Sequence, residues 1–178
     1  MLKFNSIFIK IKLLYHKLFG SIKINFSKIE IKEFNCNPQN ILIIFPIEEK
    51  EFRVAAYTFR NFAYNKNTNY HFIINRVFHS HFHLMGITHK LSYFPQKNKI
   101  KVDETFFEDD MLNKCFDVVV DLNDSFYYDI ALLINKLEST YKIGFKKDYS
   151  DLFYNLQFQM SDDKALEDSY NRIKLILS

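Results

Sequence analysis

The spacing of apolar residues changes along the chain and predicts where its strands and helices lie. Two continuous apolar runs, Asn40 to Pro46 and Phe116 to Leu122, are bounded by polar turn residues. Such runs are typical of strands that are buried on both faces of a parallel sheet. After the first run, helical spacing predicts a helix from Phe52 to Tyr64, and Tyr70 to Asn75 predicts the next strand. Strand, helix and strand in this order form the unit from which parallel sheets are built.

The second apolar run opens the segment around which the fold is organised. A polar turn, Asn123-Asp124-Ser125, follows it, and a segment with helical spacing then leads to a short strand from Tyr141 to Phe145. The length of this segment suits a right-handed crossover between parallel strands. We therefore predict an α/β fold, in which residues 21–178 form a single three-layer Rossmann-like domain with a mostly parallel sheet.

Weaker patterns fill the rest of the chain. They predict a strand or hairpin at 21–34, a short strand at 90–94, an irregular charged segment at 96–114, a short strand at 152–158 and a last helix that ends near 177. Asp162 or Asp163 precedes the last helix and is a suitable N-cap. The charged residues from Glu48 to Glu51 are predicted to form a loop before the helix that begins at Phe52.

The start of the chain, residues 1–20, predicts a basic amphipathic helix over 2–19. Its apolar residues recur every three or four positions and form one stripe: Phe4, Ile7, Phe8, Ile11, Leu14, Tyr15 and Leu18. Lys3, Lys10 and Lys17 are seven residues apart and share another face. Two interpretations stay open, because the stripe can pack on the domain, or it can lie on an anionic membrane surface with the lysines toward the headgroups.

Charge and cysteine content limit the class of function. The net charge of +3 over 178 residues does not indicate a nucleic-acid partner. Cys36 and Cys115 are far apart and lack metal-type spacing, so we expect free thiols in a reducing compartment, the cytoplasm. Lysines interrupt the apolar residues near the N-terminus, and we expect neither a signal peptide nor a spanning helix there. A peripheral location on the inner face of the membrane is compatible with both expectations.

A histidine-rich segment follows the strand predicted at Tyr70 to Asn75. In an extended conformation His79, His81 and His83 share one face, and three imidazoles on one face can bind zinc. In a helix the three do not converge, although His79 and His83 are neighbours. No cysteine or acidic general base lies within the run. We predict no metal site, and the run alone supports the competing hypothesis of a metal protein.

Candidate ligand-binding residues lie where the predicted parallel strands end. Glycine-rich phosphate loops are absent from the sequence, so we predict no cofactor. In open α/β sheets, ligands bind beyond the carboxyl ends of the strands. The polar residues that follow the two apolar runs are Glu48, Arg53, Asp121, Asn123 and Asp124. Carboxylates at this edge can act as a general base or bind hydroxyl groups. The alternative is that the last three cap the next helix and that the glutamates are solvated.

Three stretches carry a resemblance to a known family. ILII at 41–44, DVVVDLN at 117–123 and the Ile143-Gly144-Phe145 strand, in this order, resemble the N-terminal, acceptor-side domain of glycosyltransferase family 9. That family includes the heptosyltransferases of lipopolysaccharide core assembly. The resemblance extends over residues 40–160. It implies a Rossmann-like fold and a second, nucleotide-sugar-binding domain, for which we expect no room in this chain.

The resemblance also implies a catalytic position. In the family, the loop after the first strand carries a Gly-Asp pair whose Asp is the expected base, and aligning the ILII stretches places Lys50 and Glu51 there. Glu51 is thus the implied base, although its side chain is one methylene longer than that of Asp. Two hypotheses follow: a non-catalytic binding or scaffolding module that works with another envelope-glycan protein, or a glycosyltransferase that needs a partner chain for its nucleotide-sugar site.

Overall fold

A central sheet with helices on both faces forms the framework of the chain. The computed structural model describes residues 10–15, 38–104, 106, 115–159 and 166–177. The strands are β1 (Asn40–Ile44), β2 (Asn69–Asn75), β3 (Ile87–Phe94), β4 (Lys99–Val102), β5 (Phe116–Asp121), β6 (Ser139–Phe145) and β7 (Leu156–Phe158). The helices are α1 (Glu49–Phe59), α2 (Tyr128–Lys136) and α3 (Leu166–Leu177), with 3₁₀ turns at Arg76–His81, Pro95–Lys97 and Ser150–Leu152. The strand or hairpin predicted at 21–34 lies outside the described residues.

The described strands form one seven-stranded sheet in the order β4-β3-β2-β1-β5-β6-β7. Neighbouring strands are parallel, except that β4 runs antiparallel to β3 at one edge. The chain builds the sheet outward from β1 to β3, and later from β5 to β7 on the other side of β1. The order of connection therefore reverses between β1 and β5, which is where ligands bind in folds of this class.

Two apolar layers cover the sheet, and the predicted three-layer Rossmann-like α/β architecture with a mostly parallel sheet is confirmed. One layer joins Leu42 and Ile44 of β1 to α2, and Leu13 of the helical residues 10–15 packs in it. The other joins Ile41 and Ile43 to α1 and α3. Because alternate β1 residues enter opposite layers, the strand is apolar at every position from Ile41 to Ile44, as the sequence pattern indicated.

Several predicted boundaries are wrong for physical reasons. The residues expected to form a charged loop begin α1 instead, since Glu49 and Glu51 lie in its first turn, where the helix dipole favours negative charge. The helix ends at Phe59 rather than at Tyr64. Two further predictions fail because short edge strands carry little pattern: β4 occupies part of the segment expected to be irregular, and β7 spans only Leu156–Phe158 after a 3₁₀ turn.

The helical residues 10–15 present the predicted apolar stripe away from the domain. Leu13, which is not part of the stripe, is 6% exposed and packs on the core, whereas Ile11 and Leu14 are 59% and 58% exposed. Lys12 places its Nζ over the ring of Tyr128 in α2, 5.2 Å from the centroid. Among the described residues, no helix has the length and the apolar content needed to cross a membrane.

Candidate functional site

The carboxyl ends of β1 and β5 bring most of the predicted site residues together. Glu48 precedes α1 and Glu51 lies in its first turn, both directly after β1. Asp121 is the last residue of β5, and Asn123 and Asp124 follow it in the loop to α2. Leu122 N–H donates to Ile44 O over 3.0 Å, so the two loops leave the sheet side by side.

Glu51 and Asp124 form a pair of carboxyl groups between α1 and the loop after β5. The Glu51 Oε2 and Asp124 Oδ1 atoms are buried, and neither has a hydrogen-bond partner in the described part of the chain. Burial, followed by the adjacent Asp124 carboxyl and the charge of Glu48, raises the pKa of Glu51 to about 8, although a backbone N–H of Asp124 offsets part of the rise. At neutral pH Glu51 is therefore mostly protonated, so its carboxyl group can donate as well as accept a hydrogen bond.

A tyrosine from α3 lies close to this pair. The Tyr170 hydroxyl donates to Leu122 O over 3.0 Å, and its ring is fully buried. Burial, and next the charges of Glu51, Asp124 and Asp121, raise the pKa of Tyr170 far above its usual value, so the hydroxyl stays protonated. Tyr170 thus places an uncharged side chain beside the carboxyl pair.

Glu48 has a separate partner, Tyr127, at the start of α2. The Tyr127 hydroxyl donates to Glu48 Oε1 over 3.0 Å. Burial is the main reason why the pKa of Tyr127 is raised, and the charges of Glu48 and, further away, Glu51 add to it. The ring of Tyr127 contacts that of Tyr93 in β3 at a centroid distance of 5.7 Å. The loop after β1 is therefore joined through Glu48 to the start of α2.

Asp121, in contrast, is a saturated acceptor. Its carboxyl is 2% exposed. Its Oδ2 accepts from the Tyr154 hydroxyl at 2.5 Å and from Lys147 Nζ at 3.2 Å. Its Oδ1 accepts from the backbone N–H and the side-chain amide of Asn123, at 3.0 and 2.6 Å. With four donors around it, this carboxylate has little capacity left for a ligand.

Asn123 connects the hydrogen bonds around Asp121 to the loop after β1. It is fully buried, and its Oδ1 accepts from the Ile47 backbone N–H over 2.9 Å. The side-chain amide of Asn75, at the end of β2, donates to Ile47 O over 3.3 Å. Asp121 and Asn123 thus hold the two loops that carry the carboxyl pair, and neither caps the next helix: α2 has Tyr127 at its N-cap, with no side-chain bond there.

Arg53 lies in a groove on the outer side of α1. It donates to Glu49 Oε1 over 2.5 Å, and both side chains are mostly exposed. The groove has a volume of ≈ 420 Å³ and is lined by Glu49, Phe52, Arg53, Ala56, Phe78 and His81. The predicted ligand-binding role of Arg53 is thus separate from the Glu51–Asp124 pair in structure, and it stays a prediction.

The histidine run does not assemble a triad. His79 and His81 lie on the exposed 3₁₀ turn Arg76–His81, and His83 is exposed in the loop after it. In the described part of the chain, no group of three or more His, Cys, Asp or Glu side chains is arranged to hold a metal ion. Two other histidines, His71 and His89, are buried on neighbouring strands, with His89 Nε2 3.5 Å from His71 Nδ1.

Four residues of the site escaped the sequence analysis: Tyr127, Lys147, Tyr154 and Tyr170. Two signals were available. Lys147 follows β6 at the same edge of the sheet as Asp121. Gly144 is the one residue of β6 that has no side chain, and a Cβ there would lie 2.8 Å from the Tyr154 ring. A glycine within a strand marks such a close approach.

Comparison with known proteins gives a likeness in structure alone. Neither the family models nor the curated proteins contain a match to this chain. Among solved structures, the E. coli heptosyltransferase WaaC with ADP matches at a TM-score of 0.53 and 12% identity. The same enzyme with ADP-2-deoxy-2-fluoro heptose matches at 0.51 and 11%. The fold is thus similar to that of part of this heptosyltransferase.

The chain spans about half the length of the heptosyltransferase that its fold resembles. The matches cover 76% of this chain, but only 46% and 47% of the two WaaC chains. The resemblance seen in the sequence is confirmed at the level of fold. It covers less than half of the larger protein. At 11–12% identity the likeness carries no residue roles, so the chemistry has to be argued from the site itself.

Proposed function

We propose that this chain is a glycosyltransferase-like module that binds a hydroxyl-rich ligand, a glycan acceptor, at the Glu51–Asp124 pair without carrying out transfer by itself. The observation that carries the proposal is the pair of carboxyl groups, each with a buried oxygen, at the point where the strand order reverses. Perturbed carboxyl groups of this kind cluster at functional sites.

The chemistry of the pair suits sugar hydroxyls. Each hydroxyl is both a donor and an acceptor, and a carboxyl beside a carboxylate offers the complementary acceptor and donor. The neutral Tyr170 hydroxyl nearby adds no competing charge. Because the structural neighbour is a heptosyltransferase, we propose that the ligand belongs to lipopolysaccharide or another envelope glycan, and that the module works with another envelope-glycan protein.

Thermal unfolding in the presence of a soluble lipopolysaccharide core oligosaccharide tests the proposal. A ligand at about 100 times its Kd stabilises the folded state by about 2.7 kcal/mol, a rise in Tm of several degrees for a domain of this size. We expect this rise in Tm with the wild type. With Asp124→Asn, which removes one carboxyl group of the pair, we expect a much smaller rise. Asp117→Asn, at the opposite end of β5, is the control. No rise with any core oligosaccharide would overturn the proposal.

A second candidate is a transferase that completes its site with a partner chain. The raised pKa of Glu51, about 8, favours it, because a base whose pKa lies near the working pH is efficient. In this mechanism the Glu51 carboxylate takes the proton of an acceptor hydroxyl. Glu51→Gln should then abolish turnover with ADP-, UDP- or GDP-sugars and the partner, and wild-type turnover should rise as the pH passes 8. A thermal shift with a nucleotide-sugar alone would indicate that the chain has a donor site of its own, which would favour an enzyme over a non-catalytic module.

We further propose that residues 2–19 lie on an anionic membrane surface. The outward position of Ile11 and Leu14, next to the exposed Lys10, supports this interpretation for the apolar stripe, while Leu13 on another side packs on the domain. Lys3 and Lys17, the other two predicted contacts, lie outside the described residues. Sedimentation with vesicles of anionic lipid should fall steeply as salt is raised. The Ile11→Ser/Leu14→Ser variant should lose binding, and Val77→Ser, which changes a residue that is 69% exposed elsewhere on the surface, should keep it.

A further inference from the structure

Lys147 is the buried cation nearest to the candidate site, and it sits beneath the loop that follows β5. Its side chain is only 8% exposed. The ammonium group has three hydrogen-bond acceptors within reach: Asp121 Oδ2 at 3.2 Å, Asn123 O at 2.7 Å and Ser125 O at 3.1 Å. All three of its N–H groups are therefore used, and none remains for a ligand.

The two carbonyl acceptors bracket Asp124. One belongs to the residue before it and the other to the residue after it. A cation that binds both carbonyls fixes the peptide groups 123–124 and 125–126, and the short stretch between them limits the direction of the Asp124 side chain. Because the ammonium also binds Asp121, the last residue of β5, the loop is tied to the sheet.

The anchor itself is rigid. The ring of Tyr154 lies against Gly144 of β6, where a Cβ would come within 3.0 Å of three ring atoms, and its hydroxyl reaches Asp121. Lys147 Nζ is 5.6 Å from the centroid of the same ring. The ammonium is thus surrounded by a carboxylate, two carbonyls and an aromatic face.

We propose that Lys147 is a positioning residue that holds the loop 122–125 so that the Asp124 carboxyl faces Glu51. The inference deepens the proposed glycan-binding site and rests on it for its biological meaning. The geometry that it explains is a carboxyl pair assembled from the first turn of α1 and the loop after β5. Lys147 acts from below through the backbone and does not itself contact the carboxyl pair.

The sign of one measurable quantity separates positioning from a simple charge effect. Removal of a nearby positive charge would raise the pKa of Glu51, because its carboxylate would be less stabilised. Loss of positioning would lower it, since Asp124 would move away and water would reach the pair. The direction of the change therefore tells which role Lys147 has.

The experiment is a carbon-13 NMR titration of the glutamate side chains, with Glu51 assigned by comparison with Glu51→Gln. In the wild type we expect the Glu51 carboxyl to titrate near 8. In Lys147→Met it should titrate about one to three units lower, toward the ordinary value. Hydrogen exchange of the amides of residues 122–125 should accelerate in the same variant.

Two variants serve as matched controls. Lys146→Met removes a neighbouring lysine whose partner, Asp151, is on the surface, and it should leave Glu51 unchanged. Tyr154→Phe removes a buried bond to Asp121 but spares the bonds to the loop carbonyls, so it should destabilise the fold and keep the Glu51 pKa close to the wild-type value. If Lys147→Met does not fold, Lys147→Gln, with a shorter donor, takes its place.

An unchanged or raised pKa in the folded Lys147 variant would overturn the inference. So would an equal fall in Tyr154→Phe, because general loosening would then explain it. The titration requires no ligand, so it is independent of whether the chain binds a glycan. A failure to bind oligosaccharide would leave the positioning role intact and remove only the proposed function.

Discussion

Asp121 and Asp124 are three residues apart, at the end of one strand, and their environments are opposite. Asp121 is buried and accepts from four donors. Asp124 faces another carboxyl, and its Oδ1 is buried without a partner in the described chain. A carboxylate that is fully satisfied stabilises the fold, whereas one that is left unsatisfied is available for chemistry. The difference assigns the first to the framework and the second to the candidate site.

The largest expected effect comes from breaking the saturated side of the comparison. Asp121→Asn leaves the buried Lys147 without its counter-charge, and the expected loss in the free energy of unfolding is about 3–5 kcal/mol, typical of removing one partner of a buried ion pair. Denaturant unfolding measures it. Asp151→Asn, which breaks a surface pair, should cost much less. Equal losses in the two variants would show that Asp121 is not the framework residue inferred here.

The next largest effect on the free energy of unfolding is expected where Tyr154, which binds Asp121, packs on Gly144. Gly144→Ala forces a Cβ into the Tyr154 ring, and overpacking of this kind costs about 1–3 kcal/mol. In a Tyr154→Ala background the same change should cost little, because the ring that it strikes is gone. A double-mutant cycle of unfolding free energies measures the coupling. Additive effects would contradict the close packing of Tyr154 on β6.

The contribution of Glu51, in the carboxyl pair, to the stability of the fold should depend on pH. The folded state binds a proton at Glu51 up to about pH 8, whereas the unfolded chain releases it near 4.5. Stability contributed by this proton is present at low pH and is lost as the pH rises between these values. Glu51→Gln removes the loss, so it should gain about 1–2 kcal/mol over the wild type at pH 9 and little at pH 4, after allowance for solvent screening. Unfolding at both pH values, with Glu48→Gln as the control, tests the sign.

The smallest effect is expected at the exposed pair outside both groups. Arg53 and Glu49 are 76% and 61% exposed in their side chains, so Arg53→Ala should change the free energy of unfolding by about 0.5 kcal/mol or less. The same variant tests the groove: if Arg53 binds an anionic part of a ligand, the oligosaccharide-induced rise in Tm should decrease without a change in stability. A large loss of stability would show that the pair belongs to the framework.

The sequence alone predicted the architecture and the edge at which the site lies. The apolar runs at β1 and β5 had to be buried on both faces, which requires a parallel sheet with helices above and below. It follows that the polar residues after both strands meet at one edge. The boundaries of short edge strands such as β4 and β7 were beyond reach, because three or four residues carry too little periodicity.

Only the tertiary structure decided which of the acidic residues has its hydrogen-bonding capacity used up within the fold. Two of the four donors that saturate Asp121 come from Lys147 and Tyr154, 26 and 33 residues further along the chain. Glu51 and Asp124 meet because α1 and the loop after β5 follow neighbouring strands, and nothing in the sequence around either residue shows that the two carboxyl groups are adjacent. A hydrogen bond forms between groups that the fold brings within about 3 Å, and for these residues that proximity arises from the strand order rather than from the sequence around them.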